Sequence, residues 1–367
     1  MNDFVITATR SMHNYASRVT DYLTRIPRFS PMAETINAVD ILVTDRFASG
    51  EMEVAIKQSV RGKDVILFSS CSYNDAGIGL DEAKIELYHT VDALKRSQVE
   101  DIIVFEPYIS CSRSDRTTRR NSVGLWMHFK ILASLGVRHV ITYQLHSNKS
   151  VSMLDPSVCT MDDIPALNLL KRYLCDTYIR DLKTLEEEVR PNWAFCSVDA
   201  GGEKLAREFA NSFGSPLVIA HKQRDYFRVN TIESISILSA EPVEGKVLWI
   251  VDDEVDTASS VESLIRALSA QKPKEINIIA VHALFSPPAS QRLNKLMEEG
   301  LLKKIIVTDT VSPPALSEIH SRIEVVPSAE LSAEIIRIIM LKESMGKLMD
   351  PFNAEQYFKS PTLFNFL

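Results

Sequence analysis

The sequence predicts an α/β fold with mostly parallel sheets flanked by helices, divided into two domains. Short apolar, β-branched runs recur along the chain and alternate with segments of helical period. The strand candidates are nearly continuously apolar, as expected of strands buried on both faces of a parallel sheet. At 367 residues the chain exceeds the size at which one core usually keeps growing.

In order, residues 4–9 read as a short strand, 11–24 as a helix and 41–43 as a second strand. The alternation over 52–56 suits a strand, and Arg61-Gly62-Lys63-Asp64 marks a turn before a buried-type strand at 65–69. Residues 81–96 have helical period and end on Lys95-Arg96, favourable at a helix C-terminus. A strand at 102–105 follows. Helix and strand candidates then succeed one another at 128–135, 140–143, 167–178, 193–198, 203–212 and 217–220. Further candidates are 247–251, 261–268, 276–283, 289–299, 305–308 and 329–343. Residues 155–165 read as a loop, which places the boundary there: an N-terminal domain at 1–160, a C-terminal domain at 161–345 and an aromatic, aperiodic tail at 346–367.

A net charge of -7 gives no basic footprint for nucleic acid. No apolar run is long enough to span a bilayer, and the N-terminal residues lack a signal-peptide pattern. Five cysteines without CxxC spacing read as reduced thiols. A cytoplasmic protein with neither nucleic-acid nor membrane partner is therefore expected.

The stretch VLWIVDDEVDTASS, residues 247–260, organises the rest. It reads as strand, two carboxylates (Asp252 and Asp253), a turn over 254–257, and a helix start with Thr257, Ser259 and Ser260 as capping or first-turn residues. Hydroxyls and N–H groups at a helix N-terminus suit a phosphate, and adjacent carboxylates at a strand end suit sugar hydroxyls or hydrated Mg²⁺. An ordinary strand-to-helix connection with acidic residues has the same spacing.

Three other stretches carry chemistry. Asp199-Ala200-Gly201-Gly202 lies between a strand and a helix, where paired glycines let N–H groups face an anion, or simply make a turn. His221-Lys222-Gln223-Arg224-Asp225 opens a polar stretch that reads either as a loop reaching over a site or as a solvated basic turn. Arg113-Ser114-Asp115-Arg116 is a cationic cluster for phosphate or for the surface, and His146 is either a metal ligand or structural.

Residues 252–260 resemble the phosphoribosyl-diphosphate-binding signature of the type I phosphoribosyltransferase fold, with Ser259 where glycine is usual, Ser260 where threonine is, and Glu254 in an apolar place. The order of segments along most of the chain is similar to the ribose-phosphate diphosphokinase family. Phe47-Ala48-Ser49-Gly50-Glu51 resembles its adenine-site signature, Val60-Arg61-Gly62 the turn after it, and Asp92-Ala93-Leu94-Lys95-Arg96 a helix end. Pro107-Tyr108, Arg113 to Arg116, Leu145-His146, Asp199 to Gly202, Lys222-Gln223-Arg224 and Thr308-Asp309-Thr310 match further motifs in the same order.

The resemblance implies two similar type I phosphoribosyltransferase-like domains, a homo-oligomer built on dimers up to a hexamer, and Mg²⁺ as cofactor. It implies transfer of the diphosphoryl group of Mg·ATP to the 1-hydroxyl of ribose 5-phosphate, for nucleotide biosynthesis. Residue by residue, Phe47 stacks adenine, Glu51 reads its amino group, and Ser49, Arg113, Ser114 and Asp115 belong to the ATP site. Lys222 and Arg224 stabilise the transferring group, while His146 and Asp199 are metal ligands. Asp252 and Asp253 hold ribose hydroxyls, partly through Mg²⁺. Asp256, Thr257, Ala258, Ser259 and Ser260 wrap the 5-phosphate, and Asp199, Gly201 and Gly202 lie on the 1-hydroxyl side.

Departures from the family pattern are Ser49 for Asp or Asn, Ser114 for Gln, and Gln144 for the acid before Leu145-His146. The stretch 119–126 lacks a Pro-Ile-Ser segment of a regulatory site, which puts control by phosphate and ADP in doubt. Two other functions fit parts of the sequence: a non-catalytic, synthetase-like regulatory subunit, and a base phosphoribosyltransferase, which leaves residues 47–51 and 222–224 without a role.

Overall fold

The structure, a computed structural model, describes residues 3–117, 120–199, 201–224, 232–319 and 322–360, without the side chains of 222–224, 232–234, 314 and 315. The chain forms two compact units. The first runs to Pro165 and takes back Ser328–Met349; the second holds Ala166–Pro327 and the chain from Asp350.

In the first unit, β1 (Phe4–Ala8) leads through a 3-10 turn to α1 (His13–Arg25). β2 (Leu42–Arg46) and β3 (Met52–Ile56) form a separate antiparallel hairpin. Then come β4 (Asp64–Phe68), α2 (Leu80–Arg96), β5 (Ile102–Phe105), α3 (Gly124–Ser134), β6 (His139–Tyr143) and β7 (Thr160–Ile164). The main sheet has the order β1-β4-β5-β6-β7 and is parallel throughout. β1 at one edge and β5 at the centre are apolar and buried along their length, as a sheet covered on both faces requires.

β7 lies in the segment expected to be a loop. Its sequence TMDDI carries two acids, which disguise it, but it pairs with β6 at the sheet edge. There the acids need not be buried on both sides, and His139 bridges Thr160 (Nδ1–Oγ1 2.6 Å) and Asp162 (Nε2–Oδ2 3.0 Å).

The second unit begins with α4 (Leu167–Leu174), extended by a π-turn at Cys175–Ile179. It continues with β8 (Trp193–Ser197), α5 (Glu203–Phe213), β9 (Leu217–Arg224), β10 (Ile232–Ser239) and β11 (Val247–Val255). The remainder is α6 (Ser259–Ser269), β12 (Glu275–Ala283), α7 (Ala289–Glu298), β13 (Lys304–Thr308) and β14 (Ile323–Val326). The sheet order is β10-β9-β8-β11-β12-β13-β14, parallel except for β10, which returns antiparallel along β9.

Three expectations change here. The strand expected to end at Ala220 continues through Arg224, because pairing with β10 satisfies the backbone of residues 221–224. Residues 232–239 and 323–326, to which no element was given, are edge strands. β11 runs on through Val255 instead of turning at Glu254: β12 pairs with it as far as Ala283, and the Leu284 and Phe285 N–H groups both donate to the Val255 carbonyl at 3.0 Å.

The chain from Ser328 rejoins the first unit, where a C-terminal domain reaching residue 345 was expected. The cause lies in α8 (Ala329–Leu341), AELSAEIIRIIML, which is apolar around most of its circumference and largely buried. Its polar positions are spent internally: the Tyr15 hydroxyl pairs with Ser328 Oγ (2.7 Å) and Ser332 Oγ (2.8 Å), and Tyr143 OH with Ser332 Oγ (2.6 Å). Tyr15→Phe removes one hydrogen bond each from the buried Ser328 and Ser332 hydroxyls, while Ser332 keeps Tyr143, so it should destabilise the first unit by about 1–3 kcal/mol in urea titrations. Phe47→Ala, on an exposed hairpin tip, should stay within about 0.5 kcal/mol.

Candidate active site

The acidic tip of β11 lies in the second unit beside the end of β8, its parallel neighbour; the register pairs Val251 with Ser197. Asp252 and Asp253 therefore follow one strand just where the turn holding Asp199 follows the other. The Asp253 N–H donates to Asp252 Oδ1 at 3.0 Å. Asp253 and Glu254 are buried and Asp252 is half-buried. Burial first, and the Asp253 carboxylate second, push the Asp252 carboxyl well above its ordinary range, with Asp199 adding to the effect.

Asp199 fixes its own turn: its Oδ1 accepts the Gly201 N–H at 2.9 Å and the Gly202 N–H at 3.1 Å. A Cβ on Gly201 would come within 3.1 Å of that oxygen, so glycine suits the position. Ser197 Oγ, buried just below, has no hydrogen-bond partner among the described residues.

Past β11, Asp256 and Thr257 are half-buried, and buried Ala258 takes a left-handed backbone (φ 57°) that starts α6. Ala258, not a hydroxyl residue, occupies the N-cap, and Ser259 and Ser260 are the first helical residues. Their first-turn N–H groups leave this end of α6 suited to an anion. Sequence reasoning missed Arg292 on α7, whose Nη1 donates to the Thr257 carbonyl at 2.8 Å and secures the turn. It carried no local signal, since it lies 35 residues away in the chain.

In the first unit, the β2–β3 tip holds Phe47 to Glu51. The Phe47 N–H donates to the Glu51 carbonyl (2.9 Å), and the Gly50 N–H to the Phe47 carbonyl (2.8 Å). Gly50 sits at φ 92°, a conformation glycine adopts at little cost. Ser49 Oγ donates to Glu51 Oε2 at 2.7 Å, so the serine orients the carboxylate. Phe47 is left 55% exposed, a ring face open for stacking.

The Arg113–Asp115 stretch follows a tight turn in which the Ser114 N–H donates to the Cys111 carbonyl at 2.7 Å. Ser114 Oγ accepts the Gly124 N–H at 3.0 Å, tying the turn to the start of α3. Arg113 is exposed and Asp115 half-buried. Exposed His146 lies beyond β6, and the adjacent Leu145 N–H donates to Asp163 Oδ1 at 2.9 Å.

The structure thus brings Asp199, Gly201, Gly202, Asp252 and Asp253 to two adjacent strand ends, with residues 256–260 on the same side of the sheet as the continuation of β11. It also gathers Phe47, Ser49 and Glu51 on one tip. Lys222 and Arg224 have a described backbone in β9, one strand beyond β8, while their side chains lie outside the described residues. Among the described residues, no three His, Cys, Asp or Glu side chains form a ready-made metal cage. The Asp199, Asp252 and Asp253 carboxylates nevertheless fit a hard cation that takes a few protein oxygens and fills its remaining positions from substrate phosphates and water.

Asp252 is a carboxyl whose folded pKa is raised, so the folded state binds the extra proton. Stability is therefore greatest below the unfolded value near 3.8 and falls as pH rises toward the raised folded value. Asp252→Asn should remove that slope and raise ligand-free stability at neutral pH. Thermal melts across pH without divalent cations would show it; equal slopes in both proteins would refute it.

Comparison with known proteins places these features in a family context. Residues 4–136 match the model described as the N-terminal domain of ribose phosphate pyrophosphokinase, and residues 179–308 match the phosphoribosyl transferase domain. The chain is 30% identical to a ribose-phosphate pyrophosphokinase of Porphyromonas gingivalis, over 83% of this chain and 88% of that protein. It is 32% identical to one of Aquifex aeolicus, over 85% of this chain and 92% of that protein. Among solved structures, a phosphoribosylpyrophosphate synthetase from Mycobacterium smegmatis superposes with a TM-score of 0.76 at 24% identity, over 93% of this chain and 99% of that one, a likeness of fold.

Proposed function

The chain belongs to the ribose-phosphate pyrophosphokinase family, and from that premise we propose that it transfers the diphosphoryl group of Mg·ATP to the 1-hydroxyl of ribose 5-phosphate. The products are 5-phosphoribosyl 1-diphosphate and AMP. The observation that carries the reading is the meeting of Asp199, Asp252 and Asp253 at adjacent strand ends, immediately before a helix whose first residues are Ser259 and Ser260.

Each residue then has a task suited to its chemistry. Asp252 and Asp253 accept hydrogen bonds from ribose hydroxyls. Asp256, Thr257, Ala258, Ser259 and Ser260 surround the 5-phosphate, with the first-turn N–H groups of α6 as donors. Asp199, Gly201 and Gly202 attend the 1-hydroxyl side. Phe47 stacks the adenine, Glu51, oriented by Ser49, accepts from its amino group, and Arg113, Ser114 and Asp115 hold the rest of ATP.

Transfer between two phosphate-bearing reactants depends on positioning and charge compensation more than on covalent chemistry. Lys222 and Arg224 supply cations for the transferring group. Mg²⁺, when bound, would neutralise phosphate charge; His146 would be a ligand in the first unit, and Asp199 with the Asp252–Asp253 pair would hold Mg²⁺ in the second. The remaining parts of the proposal are a dimer-based homo-oligomer and a cytoplasmic location.

The test is AMP formation from ATP by the purified chain. It should require both ribose 5-phosphate and Mg²⁺, and Lys222→Ala should lower turnover about 10²–10³-fold with the fold intact by circular dichroism. No AMP above an enzyme-free control would refute the activity, and unchanged turnover in the variant would refute the role of Lys222.

A further inference from the structure

Beneath the loop that carries Arg113 to Asp115, the first unit gathers titratable groups that the proposed reaction does not use. Lys84 on α2 places Nζ 3.1 Å from Cys111 Sγ. One turn along α2, Tyr88 OH pairs with His128 Nδ1 at 2.9 Å, and His128 Nε2 with Glu106 Oε2 at 2.7 Å. Glu106 and His128 are buried, and Cys71 lies buried beside them, its thiol raised well above the ordinary range by burial first and by the Glu106 charge second. Ser110 and Ser112, flanking Cys111 in sequence, bury hydroxyls that have no hydrogen-bond partner among the described residues.

Cys111 differs from the other four cysteines. They are buried, whereas Cys111 is half-exposed. Burial pushes the Cys159 thiol up to about 11 and the Cys196 thiol to about 12, and it raises the Cys175 thiol too. Cys111 instead faces an ammonium. Burial, the largest single influence, lowers the Lys84 pKa, but Cys111, Cys71 and Asp81 together leave it above its ordinary value, so the charge stays in place. The sulfur also sits against the first turn of α3: a Cβ on Gly124 would lie 3.3 Å from it. The sulfur therefore has a cation in contact on one side and a helix N-terminus on the other.

We propose that Cys111, activated by Lys84, is a thiol-oxidation site for hydroperoxides. The Cys111 thiolate attacks one peroxide oxygen, an S–O bond forms as the O–O bond breaks, and the hydroxide (or alkoxide) that leaves takes a proton from the Lys84 ammonium, which is reprotonated from the buffer. The sulfur is oxidised by two electrons to sulfenic acid and the peroxide is reduced. The added oxygen has little room beside Gly124. It also strains a residue already at φ 67° whose carbonyl holds the Ser114 turn. Oxidation therefore displaces Arg113 to Asp115 and weakens ATP binding, a consequence that rests on their assignment to the ATP site.

The test treats the full chain with hydrogen peroxide in the presence of dimedone and maps adducts by peptide mass spectrometry. One adduct is expected, at Cys111, forming about tenfold more slowly in Lys84→Met. No adduct, or adducts spread over other cysteines, overturns the proposal; so does an unchanged rate in a folded Lys84→Met. Should that variant not fold, iodoacetamide alkylation of the native chain decides: Cys111 must react at pH 7 about tenfold faster than glutathione, and a rate equal to glutathione overturns the activation. A separate arm measures the KM for ATP before and after peroxide. An increase of about tenfold, reversed by dithiothreitol and absent in Cys111→Ser, is expected. An adduct at Cys111 with unchanged KM overturns the coupling to ATP and removes residues 113–115 from the ATP site. Absence of AMP formation before any peroxide is added refutes the proposed activity and leaves the adduct result to stand on its own.

Discussion

The second unit depends on one electrostatic constraint: three acids in succession close a strand that is otherwise apolar and buried. Asp252, Asp253 and Glu254 are half-buried or buried, and Asp199 adds its charge from the next strand end. Carboxylates so placed repel one another and lose hydration, a cost a globular protein rarely accepts without return. The neighbouring elements all serve to hold them there. β12 keeps pairing with β11 through Val255, Arg292 secures the turn beyond, and Asp199 is tied down by two glycine N–H groups. Sugar hydroxyls and a divalent cation are the ligands that relieve such an arrangement, which is why the ligand-free protein should be least comfortable where it binds best.

The first unit works by a different principle, in which rigid supports present exposed groups. The hairpin of β2 and β3 pairs only with itself, so its tip is held by local bonds and by α2, where Arg46 reaches Glu82 at 2.9 Å and Thr44 Oγ1 donates to Glu86 at 3.1 Å. Phe47 can remain exposed without costing the core anything, because the hairpin's stability lies elsewhere.

Much of this was legible in the sequence, and the reasons are local. Central strands such as those at 102–105 and 193–197 announce themselves because both faces are buried, and the acidic tip stands out against the apolar run before it. The polar edge strands were passed over, whereas β1, an edge strand that is apolar and buried throughout, was read. β7, with TMDDI, and β10, with IESISILS, carry polar residues that suit an edge and lack the continuous apolar run by which the other strands stand out. The end of β11 was misplaced for a related reason: Glu254 looks like a turn residue until the pairing of β12 is known. Site residues contributed by a contiguous motif could be named in advance. Arg292 and the Lys84–Cys111 pair could not, since each depends on contacts between distant segments.

The return of Ser328–Met349 to the first unit makes the main segment of the second, Ala166–Pro327, in topological terms an insert within its host, before the chain from Asp350 rejoins the second unit. A ribosome delivers the five strands of the host's main sheet first, then more than 160 residues of insert, and only afterwards α8 and its partners for Tyr15 and Tyr143. The host must therefore wait, with an apolar face uncovered, until residues 328–349 have been made, and the second unit, although its sheet is complete at β14, waits longer for the segment from Asp350, whose Glu355 and Tyr357 reach back to Arg190 and Asp176. A nascent chain halted after β14 would thus carry two complete parallel sheets, each still lacking the segment that closes its unit.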